Sequence, residues 1–401
     1  MVTIGLLWHS ISSDNLGVGA LTVSQIAICQ SAAQRAGFEV EYIVFGSEGS
    51  RSYAPKGLKL TSGGRISIKQ MITGRSEYLR DLERCDIVFD IGEGDSFTDI
   101  YGLKRFLFLI ASKIAVLVKG KQLVLGPQTI GPFNHWYTRV ISAIVMRRCQ
   151  CIFTRDDLSV DCLHRMGITD NVQAVTDIAF RLPFIKPVSK INESIRIGIN
   201  VSGLLFSGGY NGDNQFGIML DYPELIRRLL ANWTASSENE VWLIPHVMPN
   251  DILNDDDRIP IDYFLEKFPS VHLAPEFNNP SEAKSFIATM DFVTGARMHV
   301  CIAAFSSGIP VVPLSYSRKF NGLFSALGYS LIADAKVMTT DLAYETIVEG
   351  FRERAELARH VALGNRIAQE KLECYEGFIV QSLNVYGSFI KETDFDKVQS
   401  T

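Results

Sequence analysis

Val2-Thr3-Ile4-Gly5-Leu6-Leu7-Trp8 reads as a buried strand, and the proline-free run over 18–36 that follows it reads as a helix, with Gly37 placed to end it. The same alternation continues down the chain. Further strands are expected over 39–45, 86–91, 122–125 and 151–154, and helices over 106–118, 136–148 and 157–166, the last stopped by Gly167. Short β-branched runs separated by helices of ten or more residues indicate an α/β protein with parallel sheets. A second series begins near 195, with strands over 196–201, 240–245, 271–273, 291–294 and 311–314 and helices over 223–232, 261–268, 281–289 and 298–306. The joint, over 181–193, holds two prolines and no clear period. The reading is therefore one domain over 1–185, a second over 195–340, and a helical tail over 341–401 that packs back on the body.

Composition narrows the function. The chain has 401 residues, 47% hydrophobic and 21% charged, which is ordinary for a globular protein and excludes wholesale disorder. Its 39 Lys+Arg against 44 Asp+Glu give a formal charge of −5, contrary to a protein built to grip nucleic-acid phosphates. Seven cysteines in so long a chain are no disulfide framework, and reduced thiols in a cytoplasmic protein are expected. Cys149 and Cys151 read as core. Met1-Val2-Thr3-Ile4 runs straight into the first strand, so no signal peptide is expected, and the apolar run over 106–118 is too short to span a bilayer. The stretch from His135-Trp136-Tyr137 to Arg147-Arg148 mixes aromatics and cations and is either a core-packed helix with a basic end or a contact with the inner face of a membrane. Oligomeric state is not legible.

Ligands of open α/β sheets bind beyond the carboxyl ends of the strands, and the unusual residues of this chain stand there. After the first strand, Asp14-Asn15-Leu16-Gly17-Val18-Gly19 opens a helix whose free N–H groups favour an anion or a carbonyl oxygen; a plain structural turn is the alternative. After the third, Asp90-Ile91-Gly92-Glu93-Gly94-Asp95 leads to Asp99. These acids could hold a divalent cation, or form a polar loop with Asp95 capping a helix; no metal is expected. Gly126-Pro127-Gln128-Thr129-Ile130-Gly131-Pro132 fixes an ordered loop; Gln128 there could orient a sugar or polar substrate, or the loop could equally be scaffold. Arg155 ends the fifth strand, suited to a carboxylate or phosphate unless it pairs with Asp156 or Asp157. His246 precedes the acidic run Asp255-Asp256-Asp257, so it either holds a sugar or lies in a solvated loop. The segment over 206–217 is glycine-rich and either closes over a substrate or is a plain surface loop.

The sharpest segment is Thr294-Gly295-Ala296-Arg297-Met298-His299, where a fixed cation and a titratable imidazole sit at the head of a helix. That combination suits binding an acidic substrate and moving a proton. Ser315-Tyr316-Ser317-Arg318-Lys319 adds hydroxyls and cations at the same edge.

In these residues, taken in order from Asn15-Leu16-Gly17 through Gly92–Asp95, the Gly-Pro-Gln-Thr-Ile-Gly-Pro run, Arg155–Ser159 and Thr-Gly-Ala-Arg-Met-His to Ser315–Lys319, the chain resembles the polysaccharide pyruvyl transferases. It departs from their pattern at Val18, where they usually carry Asp, and at Glu93, which breaks a run of glycines. The resemblance implies two Rossmann-like domains facing a central cleft, as in glycosyltransferases of the GT-B type. It implies phosphoenolpyruvate as co-substrate, no cofactor or metal, and transfer of pyruvate as a ketal onto a sugar or lipid-linked oligosaccharide. Arg155, Arg297, Met298 and His299 would bind the donor, with His299 as general acid or base. Asn15, Gly17, Asp95, Gln128, His246, Tyr316 and Lys319 are the candidates for the acceptor side. A nucleotide-sugar glycosyltransferase of the same architecture is the competing expectation.

Overall fold

The computed structural model of the chain describes residues 1–187, 194–249 and 253–399, and the side chains of these other than 253, 318, 319 and 387–399. Among the described residues, β1 (Val2–Leu7), β2 (Val40–Phe45), β3 (Leu60–Ser62), β4 (Ile87–Asp90), β5 (Gln122–Gln128), β6 (Cys151–Thr154) and β7 (Val172–Ala174) form a parallel sheet in the order β3-β2-β1-β4-β5-β6-β7. A second parallel sheet contains β8 (Ile195–Asn200), β9 (Asn239–Leu243), β10 (His272–Leu273), β11 (Phe292–Gly295), β12 (Val311–Ser315) and β13 (Ala333–Asp334), in the order β10-β9-β8-β11-β12-β13. Both orders reverse beside their first strand, and at such a switch point neighbouring loops part to leave a crevice.

The expected helix over 18–36 is Leu16–Ala36, capped by Asn15, whose side chain accepts from the Gly17 amide, and ended by Gly37 at φ 76°. It is the one helix among the described residues with the length and hydropathy to cross a membrane. Its apolar length serves the core instead, since Leu21, Ile28 and Cys29 are all buried. The structure differs from the sequence reading mainly at the sheet edges. Strands β3, β7 and β13 are only two or three residues long, and β3 and β7 are largely exposed, so burial imposes no pattern on them. The helices Ile68–Ile72 and Glu77–Arg84 are likewise additions.

The joint between the sheets opens on the short turn Ile178–Arg181; residues 188–193 lie outside the described residues. Lys284, on the helix Pro280–Ile287, is buried against it and donates to the Leu182 carbonyl at 3.0 Å; burial lowers its pKa to about 7. The tail is two helices, Thr340–Arg352 and Arg354–Gln399. The second returns to the first domain, where Tyr375 Oη donates to Gln25 Oε1 (2.8 Å) and Glu376 accepts from Ser31 and Arg35.

Candidate active site

The loops after β1, β4, β6, β9, β11 and β12 line one cavity of about 140 Å³ between the two sheets. Three helices point their amino ends at it. Asn15, Arg297 and Ser317 are the cap residues of Leu16–Ala36, Met298–Ser306 and Arg318–Ser325, and all three line the cavity. Each helix start contributes about half a positive charge, so the cavity favours an anion before any side chain is considered.

Arg297 is held rigidly. Its backbone amide donates to Asn200 Oδ1, its Nε and Nη2 to Asp257 Oδ1, and Asp255 pairs with Nη2 at 2.7 Å. Burial alone would lower the guanidinium pKa, but Asp257 and Asp255 outweigh it and hold the group charged. Asp257 is wholly buried and also receives the amides of Gly203, His246 and Val247. The acidic run is therefore not a solvated loop; Asp257 is the knot that ties the ends of β8, β9 and β11 together. Gly295 permits this, because a Cβ there would stand 2.6 Å from that of Asn200.

Arg155 is also buried and paired, but with neither of its sequence neighbours. Its Nη1 meets Asp177 and its Nε donates to Thr129 Oγ1. Asp156 turns away to cap its own helix at the Ser159 amide and to accept from Thr129. Asp177 lies 4.0 Å from His299 Nε2, so one carboxylate stands between an arginine of the first domain and the imidazole of the second. With these bonds made, Nη2 of Arg155 and Nη1 of Arg297 have no protein partner among the described residues.

His299 packs against the first helix: a Cβ on Gly17 would lie 2.3 Å from its Nδ1, so only glycine leaves room for the ring. Burial lowers the His299 pKa to about 4, partly countered by Asp177. The near-neutral value expected of a proton shuttle is thus not that of His299 in this structure, where burial favours the neutral ring. His246 is 3% exposed, and neither ring nitrogen has a hydrogen-bond partner. Burial, then the neighbouring His299, holds it neutral as well. Its strand end is stitched to the first domain by the Leu16 amide donating to the His246 carbonyl and by the Asn15–Val247 bridge.

Of the other expected residues, Asn15, Asp95, Met298 and Tyr316 line the cavity. Phe216, from the glycine-rich segment, packs edge-on against Tyr316 with ring centroids 5.1 Å apart. Asp95 does not cap the helix that follows; it accepts from Tyr101 Oη at 2.6 Å, while Gly102 holds the cap position. Gln128 is a correction: it is wholly buried, its amide donating to the carbonyls of Asp90 and Gly126, and it is not among the residues that line the cavity. The side chain of Lys319 lies outside the described residues. The acids once weighed as cation ligands have protein partners: Asp90 pairs with Lys113, Glu93 with Arg105, and Asp99 accepts from Asn134, His135 and Thr138.

Comparison with known proteins agrees with this geometry. A sequence profile of the polysaccharide pyruvyl transferase family matches residues 15–318, which spans every loop that lines the cavity. The chain belongs to that family. The amylovoran biosynthesis protein AmsJ of Erwinia amylovora is 25% identical over 74% of this chain and 76% of its own. Among solved structures, the UDP-GlcNAc 2-epimerase of Neisseria meningitidis aligns over 95% of this chain and 99% of its own (TM-score 0.56, 13% identity). The sucrose-phosphate synthase of Thermosynechococcus elongatus aligns over 98% and 100% (TM-score 0.57, 10% identity). At such identities these two show the fold alone, and the fold is GT-B-like.

In this pyruvyl transferase the two departures from the family pattern both face the cavity. Val18 lines it, and Glu93 adopts φ 50°, a backbone conformation that glycine takes more readily. Sequence reasoning missed Asp177 and Asn200. Asn200 ends a strand that was expected. Asp177 follows β7, and without that short edge strand its place at a sheet edge left no signal.

Proposed function

We propose that this enzyme transfers pyruvate from phosphoenolpyruvate to two hydroxyls of a sugar in polysaccharide biosynthesis, forming a ketal and releasing phosphate without a metal. The observation that carries the reading is the convergence of three helix amino ends, two fixed guanidiniums and two neutral imidazoles on one small cavity. A small, highly charged anion is the ligand such a cavity suits. The free Nη2 of Arg155 and Nη1 of Arg297 receive the donor's phosphate and carboxylate, and the aspartates behind them fix their direction.

In the first step His299 takes the proton of one acceptor hydroxyl as that oxygen attacks C2, and the same proton goes to C3, turning the methylene into a methyl. The C2–O bond to phosphate then breaks. The second hydroxyl adds to C2, and its proton leaves with phosphate. His246, whose ring nitrogens have no hydrogen-bond partner, takes the acceptor. A bound trianion raises the basicity of His299, so donor binding itself prepares the base. Proton transfer by a positioned group is worth 10²–10⁴-fold in rate.

The test is thermal unfolding with phosphoenolpyruvate, followed by phosphate release with acceptor sugars. Donor at ~100 Kd adds about 2.7 kcal/mol of stability. His299→Gln should keep most of that protection and lose turnover. Protection by a nucleotide sugar and none by phosphoenolpyruvate would overturn the reading in favour of glycosyl transfer.

A further inference from the structure

We propose that the outer face of two helices of the first domain docks on an anionic lipid surface and brings a membrane-borne acceptor to the cavity. The helices are Leu103–Val118 and Trp136–Met146, which join β4 to β5 and β5 to β6. They pack side by side, and consecutive right-handed crossovers place them on the same face of the sheet. Their inner faces are filled by Phe106, Ile110, Val116, Ala143 and Met146.

Their outer faces are apolar where a water-facing helix would be polar. On the first helix Leu103, Leu107 and Val118 share one side and are 46%, 45% and 78% exposed. On the second, Trp136, Val140 and Ile144 recur every four residues along one side, each about half exposed or more. A soluble monomer rarely leaves so continuous an apolar surface to water.

Charge decides the occupant. From residue 100 to 155 there is no Asp or Glu, while nine Lys and Arg fall in that stretch, in a chain whose formal charge is −5. Leaving out those nine, 30 Lys+Arg face 44 Asp+Glu, a balance of −14 for the rest of the chain. Lys104, Arg139, Arg147 and Arg148 are exposed around the apolar stripes. Apolar residues rimmed by cations, with a tryptophan at the border, are the chemistry of an interfacial helix on anionic phospholipid.

The patch also reaches the cavity. Asp99 accepts from the amides of Asn134 and His135 and from Thr138 Oγ1, which fastens the turn before the first helix to the start of the second. In that turn Tyr101 is 45% exposed, and its hydroxyl donates to Asp95 on the cavity wall. A sugar carried on a lipid in this surface would meet the cavity without leaving the membrane.

The test is flotation of the full chain with phosphatidylcholine vesicles, with and without phosphatidylglycerol. Binding at least tenfold stronger to the anionic vesicles and weakened by salt is expected. Val140→Asp with Ile144→Asp, and separately Arg147→Glu with Arg148→Glu, should each reduce it about tenfold with the thermal midpoint and the response to phosphoenolpyruvate unchanged. The proposal does not depend on the donor, so vesicle binding with no donor response would overturn the proposed function and leave the surface standing. Absence of wild-type binding to anionic vesicles overturns the surface. So does a wild-type dimer that the Val140→Asp, Ile144→Asp protein fails to form, because a second copy would then cover these helices.

Discussion

Asp177 stands between the domains with its carboxylate on Arg155 Nη1 and 4.0 Å from His299 Nε2. The position is at once structural and chemical. The carboxylate neutralises a buried guanidinium that it also aims, and it is the charge that favours the protonated form of His299.

Asp177→Asn separates these roles by readout. Removing one partner of a buried ion pair costs about 3–5 kcal/mol when nothing replaces it, and the amide replaces only part of it, so a loss near ~3 kcal/mol in urea unfolding is expected. The imidazolium formed during turnover also loses its countercharge, so kcat should fall about 10²-fold. The sign of the pH effect is specific. Asp177 raises the His299 pKa, so the acid limb of the kcat profile should move to lower pH in the variant. An unmoved limb with lower stability would leave Asp177 a purely structural residue.

Gly17→Ala reaches His299 from the other side. Alanine suits a helix better than glycine by about 1 kcal/mol, so the backbone tolerates the change. The new methyl, however, would stand 2.3 Å from Nδ1 of His299, and the ring must move. A fall in kcat of tenfold or more is expected, with donor protection largely kept. Combining Gly17→Ala with His299→Gln should add little to the loss from His299→Gln alone, since both act on one group. Fully additive losses would show that Gly17 matters for another reason.

These two positions mark how far the sequence alone was legible. Long buried elements declared themselves: β1, the turn ending in His299 and the first helix stand where periodicity and Gly37 put them, the helix opening two residues earlier than expected, at Leu16. The cavity-lining residues were found because strand ends are where ligands bind, and Arg155, Arg297, His246 and Tyr316 are conspicuous there. What stayed hidden was partnership. Nothing in the sequence joins Arg155 to Asp177, 22 residues on and beyond a three-residue edge strand, or makes Asp257 the hub of three strand ends. Gln128 was misplaced for the same reason: its side chain answers to the carbonyls of Asp90 and Gly126, a long-range demand that no local pattern carries.

Acid should weaken the protein through its buried imidazoles. Burial lowers His9 to about 3 and His299 to about 4, and lowers His246 as well. Between about pH 6.5 and 4 the unfolded chain binds protons at these sites that the folded chain does not, so stability falls as pH falls. The slope approaches ~1.4 kcal/mol per pH unit for each such histidine. Urea midpoints at pH 7 and pH 5 should show the decline, and His246→Asn should flatten it. An unchanged slope in that variant would mean that His246 titrates freely in the folded protein.

Lys113 tests the anchoring of the loop after β4. It pairs with Asp90 at 2.8 Å, both side chains wholly buried, and its ammonium lies 4.3 Å from the centre of the Phe97 ring. Asp90 also accepts from the Gly92 amide and so anchors the loop that carries Glu93, Gly94 and Asp95 into the cavity. Lys113→Met leaves the carboxylate buried and unpaired, at a cost of about 3–5 kcal/mol. Burial already raises the Asp90 pKa against the pull of Lys113, and without the lysine it rises further. A raised carboxyl binds its proton more tightly in the folded state, so the variant should lose stability as pH rises above about 4, the unfolded carboxylate value, opposite in sign to the histidine effect. Lys113→Met with Asp90→Asn should recover part of the loss and remove the pH dependence. If the single variant is as stable as wild type at pH 8, the ion pair does not hold the loop, and the docking of Glu93 and Asp95 at the cavity rests on other contacts, those with Arg105 and Tyr101 among them.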